Sequence, residues 1–292
     1  MSTPFPRWLP PLLGATGRVA PRFAARLAAE LLCRPRGRNP PQAWELEPTL
    51  LAPQPIRLAG GLHGLGWGEA GPVALALHGW RGRPTQFGRI AAALVPRGYR
   101  VVALDAPGHG VSTGLRASTR ILADTLHAAA AELGAVRAVI GHSFGGAAAG
   151  LAVSEGLDAA RLVLIASPTQ VSAMLARMGH DLGLPAAARQ ELAAWLDRHA
   201  GRPIAELDLV QLGAQLGGTA LIVHDEDDEI IPVAEARLLE SAWPAAAKLY
   251  TRGLGHRELL AAPEVVAAIR DFVDGRGALR QHPREADETR TP

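Results

Sequence analysis

The sequence predicts an α/β fold, a mostly parallel central sheet flanked by helices with a short helical cap inserted late in the chain. Three observations carry that expectation. From about residue 51 to 274, short apolar runs rich in β-branched residues alternate with segments of helical period, the mark of repeated strand–helix units. Between about 169 and 218 this rhythm stops and only helical patterns remain, which marks an insertion. With 48% hydrophobic and 20% charged residues over 292 positions, the chain is able to bury a sizeable core.

Residues 1–50 read as a basic arm rich in Arg, Ala and Pro. Within it Phe23, Ala24, Leu27, Leu31 and Leu32 recur at helical spacing, with Arg22 and Arg26 between them. This amphipathic helix is expected to dock on or beside the main domain with its basic face solvated. The same pattern also permits peripheral contact with an anionic membrane surface. Residues 56–67 read as an antiparallel hairpin or meander with glycines at its turns. Strands are expected at 73–77, 101–105, 136–140, 162–165, 221–223 and 248–251. Between them lie a helix carrying Phe87, Ile90, Ala91 and Leu94 and another over 118–133. Two more fall inside the insertion (171–178 and 186–199), and a last one spans 263–273. The polar tail, 275–292, is expected to be disordered.

The formal charge of +2 conceals an uneven distribution. Arg7, Arg18, Arg22, Arg26, Arg34, Arg36 and Arg38 face a single acid, Glu30, in the first 40 residues. They are confined to one arm, so nucleic acid is not an expected partner. Cys33 is the only cysteine, which rules out an intramolecular disulfide and suits a reducing compartment. Prolines and Arg7 interrupt any leader-like apolar run, and no stretch reaches the length of a membrane span. A cytoplasmic protein is expected. The glycine-rich segments spell neither a dinucleotide fingerprint nor a phosphate loop, and no cluster has zinc spacing, so no cofactor or metal is expected.

The chemistry concentrates at three places. Gly141-His142-Ser143-Phe144-Gly145-Gly146 follows a β-branched strand and precedes an Ala/Gly-rich helix start. In a G-x-S-x-G turn the serine is strained and exposed, and the flanking glycines let the backbones approach. The bland alternative for Ser143 is an ordinary helix cap. A serine hydroxyl needs an adjacent base, and His256, in Gly253-Leu254-Gly255-His256 after the last strand, is the histidine placed to supply one. The strand at 221–223 ends in a run of five acids, Asp225 to Glu229. One carboxylate there is expected to orient the imidazole, and the other four read as a solvated turn. A calcium loop is disfavoured because the glycine and ligand spacing of an EF-hand are missing.

With these residues in place the sequence resembles the α/β-hydrolase superfamily, particularly serine esterases and lipase-like members with a small helical cap. The resemblance runs from about Pro72 to Val273. His78-Gly79-Trp80 is similar to the family's oxyanion segment, and Asp105-Ala106-Pro107-Gly108-His109-Gly110 to the loop after its fourth strand. His224-x-x-x-Asp228-x-x-Ile231-Pro232 resembles the turn that normally reads H-G-x-x-D-x-x-V-P, with Asp225 in place of glycine. The resemblance thus implies Asp228 as the acid and the backbone N–H groups of Trp80 and Phe144 as the oxyanion hole. Dehalogenases and epoxide hydrolases of this fold carry aspartate at the elbow, so serine implies acyl transfer. The expected activity is hydrolysis of esters with small or medium acyl groups. The acyl pocket is expected around Trp80, Phe144 and cap residues such as Met174, Met178 and Trp195, these last equally readable as cap core. The alternatives are an acyl thioesterase and, in another class, a non-catalytic protein binding a small molecule or a partner on the same scaffold.

Overall fold

The computed structural model describes residues 6–47, 51–213, 216 and 220–275. The tail expected to be disordered lies, from 276 onward, outside the described residues. Eight strands are present among them: β1 (Gln54–Leu58), β2 (Leu62–Trp67), β3 (Val73–Leu77), β4 (Arg100–Asp105), β5 (Val136–His142), β6 (Ala159–Ile165), β7 (Ala220–Asp225) and β8 (Ala247–Thr251). They form one sheet in the order β1-β2-β4-β3-β5-β6-β7-β8. β1, β2 and β4 pair antiparallel, and every pairing from β4–β3 onward is parallel. Every strand expected from the sequence is there, the 56–67 hairpin included.

The helices in chain order are α1 (Leu9–Val19), α2 (Pro21–Cys33), α3 (Gly88–Leu94), α4 (Thr119–Leu133), α5 (Phe144–Ser154), α6 (Val171–Asp181), α7 (Ala186–Ala200), α8 (Leu209–Leu212), α9 (Val233–Ala242), α10 (Gly255–Glu258) and α11 (Pro263–Asp274). Parallel strands covered on both faces must be apolar on both, which explains their continuous hydrophobic runs. Leu75, Leu77, Val102, Leu104 and Val139 face one core with Leu122 and Leu126 of α4, Leu151 of α5 and Leu239 of α9. Ala74, Ala76, Val101, Ile140 and Val223 face the other with Ile90 and Leu94 of α3 and Ile269 of α11. Ser118 caps α4 by accepting a hydrogen bond from the Ile121 amide at 3.2 Å.

The insertion holds α6, α7 and α8. Glu235 of α9 anchors its start to the main domain, and Asp208, at the start of α8, ties α6 to α8 within the insertion. Glu235 Oε2 accepts from the amides of Thr169 (2.9 Å) and Gln170 (3.0 Å) and from Thr169 Oγ1 (2.8 Å). Asp208 accepts from Ser172 N at 2.9 Å and from Ser172 Oγ. Burial pushes the Asp208 pKa up, and the nearby Glu235 adds to it.

The arm differs from the single helix expected. Pro10 and Pro11 start α1, because proline is tolerated in a first helical turn whose N–H groups have no intrahelical partner. α1 and α2 both pack on the cap: Leu13, Ala24, Ala25, Ala28, Ala29 and Leu32 form a third apolar cluster with cap residues such as Leu184, Leu192 and Leu196. The arm is therefore docked, on the cap.

Candidate active site

The parallel strands deliver their C-terminal ends to one edge of the sheet, where ligands bind in open α/β sheets. Ser143 follows β5 directly and stands as the N-cap of α5, with φ 52° and ψ −125°. A non-glycine residue in that region costs on the order of 1–3 kcal/mol and marks an imposed turn. Its hydroxyl makes no cap hydrogen bond, so an ordinary helix cap is not its role. The turn is locked from both sides. The Ser143 amide donates to Ile165 O of β6 at 2.8 Å. A Cβ at Gly145 would lie 2.3 Å from Leu77 O, and one at Gly79 2.7 Å from Ser143 Cβ. The end of β3 therefore lies against the serine only because both positions are glycine.

Asp228 and His256 arrive from β7 and β8. His256 Nδ1 is 2.7 Å from Asp228 Oδ2. A carboxylate only accepts, so Nδ1 carries the proton, and in the neutral ring Nε2 keeps its lone pair. Asp228 Oδ1 accepts from the amides of Ile230 (2.8 Å) and Ile231 (2.9 Å). Burial raises the Asp228 pKa, but the hydrogen bond and charge of His256 and these two amides outweigh it, and the carboxyl stays below its ordinary value. His142, the residue before the serine, packs its ring 4.8 Å from that of His256, centroid to centroid. His142 Nε2 lies 2.9 Å from His256 O, to which it donates. Burial, and then the nearby His256, push the His142 pKa down to about 3, so it is neutral.

Asp225 corrects the expectation of four solvated acids. It is fully buried and accepts four hydrogen bonds: from Thr251 Oγ1 (2.7 Å) and from the amides of Asp227 (3.0 Å), Leu254 (3.1 Å) and Gly255 (3.0 Å). Burial raises its pKa, and these donors more than reverse the effect. Asp225 ties the acid turn to the histidine loop and so sets where His256 begins. The only signal in the sequence is its departure from the usual glycine.

The Trp80 amide lies in a turn closed by Gly82 N to Gly79 O at 3.0 Å, and the Phe144 amide is the first of α5. A helix's first amides have no intrahelical partner and its dipole favours an anion there. The Trp80 ring meets those of Phe144 and His109 edge to face, both at 5.7 Å. His109 Nε2 accepts from the Arg81 amide at 2.9 Å, and burial, aided by His78, lowers its pKa to about 4, which keeps that acceptor available. The arm also reaches this turn. Arg38 pairs with buried Asp105 at 2.5 Å, and the Asn39 amide donates to Arg81 O at 2.9 Å. No sequence pattern announces this bracing by His109 and Asn39.

A cavity of about 120 Å³ lies beside Phe144, lined by Val171, Leu175, Trp195 and Leu196 of the cap, Ile121 of α4, and Leu32 and Cys33 of the arm. Burial raises the Cys33 pKa to about 11, so this thiol is unreactive. Behind Leu175, Leu196 and Ile204, which line both, lies a second cavity of about 330 Å³ between α6 and α7. Met174 and Met178 do not line the cavity beside Phe144: Met174 packs on the main core and Met178 on the arm–cap cluster. Among the described residues no three His, Cys, Asp or Glu side chains converge as a metal site.

Known proteins agree with this architecture. The model of the serine aminopeptidase S33 family matches residues 68–203. A human serine hydrolase-like protein is 34% identical over 91 residues, 29% of this chain and 44% of that protein, so the match spans less than half of this relative's length. Among solved structures, a membrane phospholipase A described as a bacterial virulence factor aligns with a TM-score of 0.59 at 20% identity, over 92% of this chain and 93% of its own. A thermophilic esterase from Thermogutta terrifontis aligns at 0.56 and 18% identity, over 77% and 99%. The thioesterase domain from the curacin biosynthetic pathway aligns at 0.55 and 18%, over 76% and 98%. The chain has the α/β-hydrolase fold, an eight-stranded, mostly parallel sheet flanked by helices.

Proposed function

We propose that this protein hydrolyses carboxylic esters of small or medium acyl groups through an acyl-Ser143 intermediate. The observation that carries the reading is the buried Asp228–His256 pair, 2.7 Å between Oδ2 and Nδ1, beside a serine held at positive φ on a strand-to-helix turn. Ser143 Oγ attacks the ester carbonyl while His256 Nε2 takes its proton. Asp228 stabilises the imidazolium without accepting that proton. The amides of Trp80 and Phe144 donate to the tetrahedral oxyanion, each donor contributing roughly 3–4 kcal/mol. His256 then protonates the leaving alcohol, and water, activated by the same imidazole, releases the acid.

No hydrogen bond joins Ser143 Oγ to His256 among the described residues. Such contacts commonly tighten only with substrate bound. The cavity beside Phe144 is apolar on most sides and of a size for a short acyl chain. A chain-length series of nitrophenyl esters, run beside the matching acyl-CoA thioesters, tests the reading. Turnover highest on esters with short or medium chains supports it. Turnover of thioesters alone assigns a thioesterase instead, and an optimum at long chains overturns the acyl-length assignment.

A further inference from the structure

The inner face of the arm is explained by the cap; its outer face is not. Trp8, at the start of α1, and Leu12 and Val19 within it are 65%, 55% and 85% exposed. With exposed Ala15 they recur every three or four residues and form one outward stripe. α2 adds Phe23 and Leu27, 57% and 40% exposed, with Arg22 and Arg26 beside them and Arg18 at the end of α1. Val111 and Leu115, 69% and 66% exposed, lie on the loop that reaches the end of α2 through the Arg116–Glu30 ion pair and the 2.7 Å bond from Ala117 N to Cys33 O.

A contiguous apolar stripe turned to solvent is disfavoured unless something covers it. The charge around it says what. Residues 6–29 contain no acid, Glu30 is taken by Arg116, and the only acid paired to the arginines of α2 among the described residues is Glu191 of the cap, on Arg22. A second copy of the chain on this face would bring like charges together. An anionic bilayer satisfies both features, since apolar side chains enter the acyl boundary while guanidinium groups sit among the phosphates. We propose that the outer face of α1 and α2 is a docking surface for a bilayer with anionic headgroups, holding the protein there peripherally. No helix among the described residues is long and apolar enough to cross a membrane. α2 ends in Leu32 and Cys33, which line the cavity beside Phe144, so the docking face and the cavity share one helix.

Co-sedimentation of the full chain with phosphatidylcholine vesicles, with and without phosphatidylglycerol, tests the proposal. Wild type is expected to pellet with the phosphatidylglycerol vesicles and to be released by high salt. The triple variant Leu12→Ser, Phe23→Ser, Leu27→Ser is expected to bind at least about tenfold more weakly. Its circular dichroism and turnover of soluble esters should be unchanged. Arg18→Gln with Arg22→Gln and Arg26→Gln is expected to lose the preference for phosphatidylglycerol. Wild type remaining in the supernatant, or a serine variant that binds as well as wild type, overturns the proposal. So does a wild-type dimer that the serine variant dissociates while vesicles bind neither form.

Discussion

At the C-terminal edge of the sheet, side chains stand where backbone hydrogen bonds put them: Ser143 through Ile165 O, His256 through Asp225 and the amides of its loop, Asp228 through Ile230 and Ile231. In the layer above, formed by cap and arm, the contacts are mostly Leu and Ala packed on Leu and Ala, with a few ion pairs at the rim. The first kind of region tolerates almost no change of position. The second fills space and tolerates exchange of similar volumes.

The sharpest test of the contrast is Asp228→Asn. It preserves shape and removes the charge facing the imidazole, and ester turnover should fall by about 10⁴-fold. A loss below tenfold would mean that the edge is not organised around this pair. In the upper layer, Leu196→Ala removes part of the wall shared by the two cavities. Stability should drop by about 2–5 kcal/mol, read by chemical denaturation, and the preferred acyl chain should lengthen as the cavities join. Asp225→Asn should lower stability by about 1–3 kcal/mol, since one side of its hydrogen-bond set loses its charged acceptor. It should also slow turnover while leaving fluorophosphonate labelling at Ser143 detectable.

Acid sensitivity separates the regions further. Burial holds the pKa of His142 at about 3 and of His109 at about 4, and it lowers that of His224, all at the C-terminal edge of the sheet. In the unfolded chain each takes a proton near pH 6.5 that the fold refuses, so stability is full above that value and falls as pH drops towards 4. Each such histidine adds up to about 1.4 kcal/mol per pH unit to that slope. Denaturation midpoints measured between pH 7 and 4 should fall less steeply for His109→Gln. The smallest effect is expected at the arm's outer face, where Phe23→Ser should leave stability within about 0.5 kcal/mol.

The same contrast explains what is legible in the sequence. Strands buried on both faces announce themselves as β-branched runs, and the elbow's glycines are dictated by atoms 2–3 Å away, so Ser143 stands out in the chain itself. His256 follows from its loop after the last strand, and Asp228 is singled out from its run of acids only by the family resemblance. Asp225 does not stand out, because a buried carboxylate holding four donors and a solvated one look alike within a run of acids. Met174 and Met178, equally readable as pocket lining or cap core, pack on the main core and on the arm–cap cluster. Helical period gives the apolar face of a cap helix but not the element it meets. α1 is hidden because its two prolines, which read as interruptions, occupy the one helical turn that accepts them. His109 and Asn39 act on the Trp80 turn across distances in sequence that no local pattern encodes.

The central claim is that Ser143 is a nucleophile activated by His256. Intact mass of wild type and of Ser143→Ala after incubation with a fluorophosphonate tests it most directly. The account predicts one adduct on wild type, none on Ser143→Ala, and loss of short nitrophenyl ester turnover in the variant. A folded wild type that takes no adduct, or a Ser143→Ala variant that takes one equally well, would contradict it.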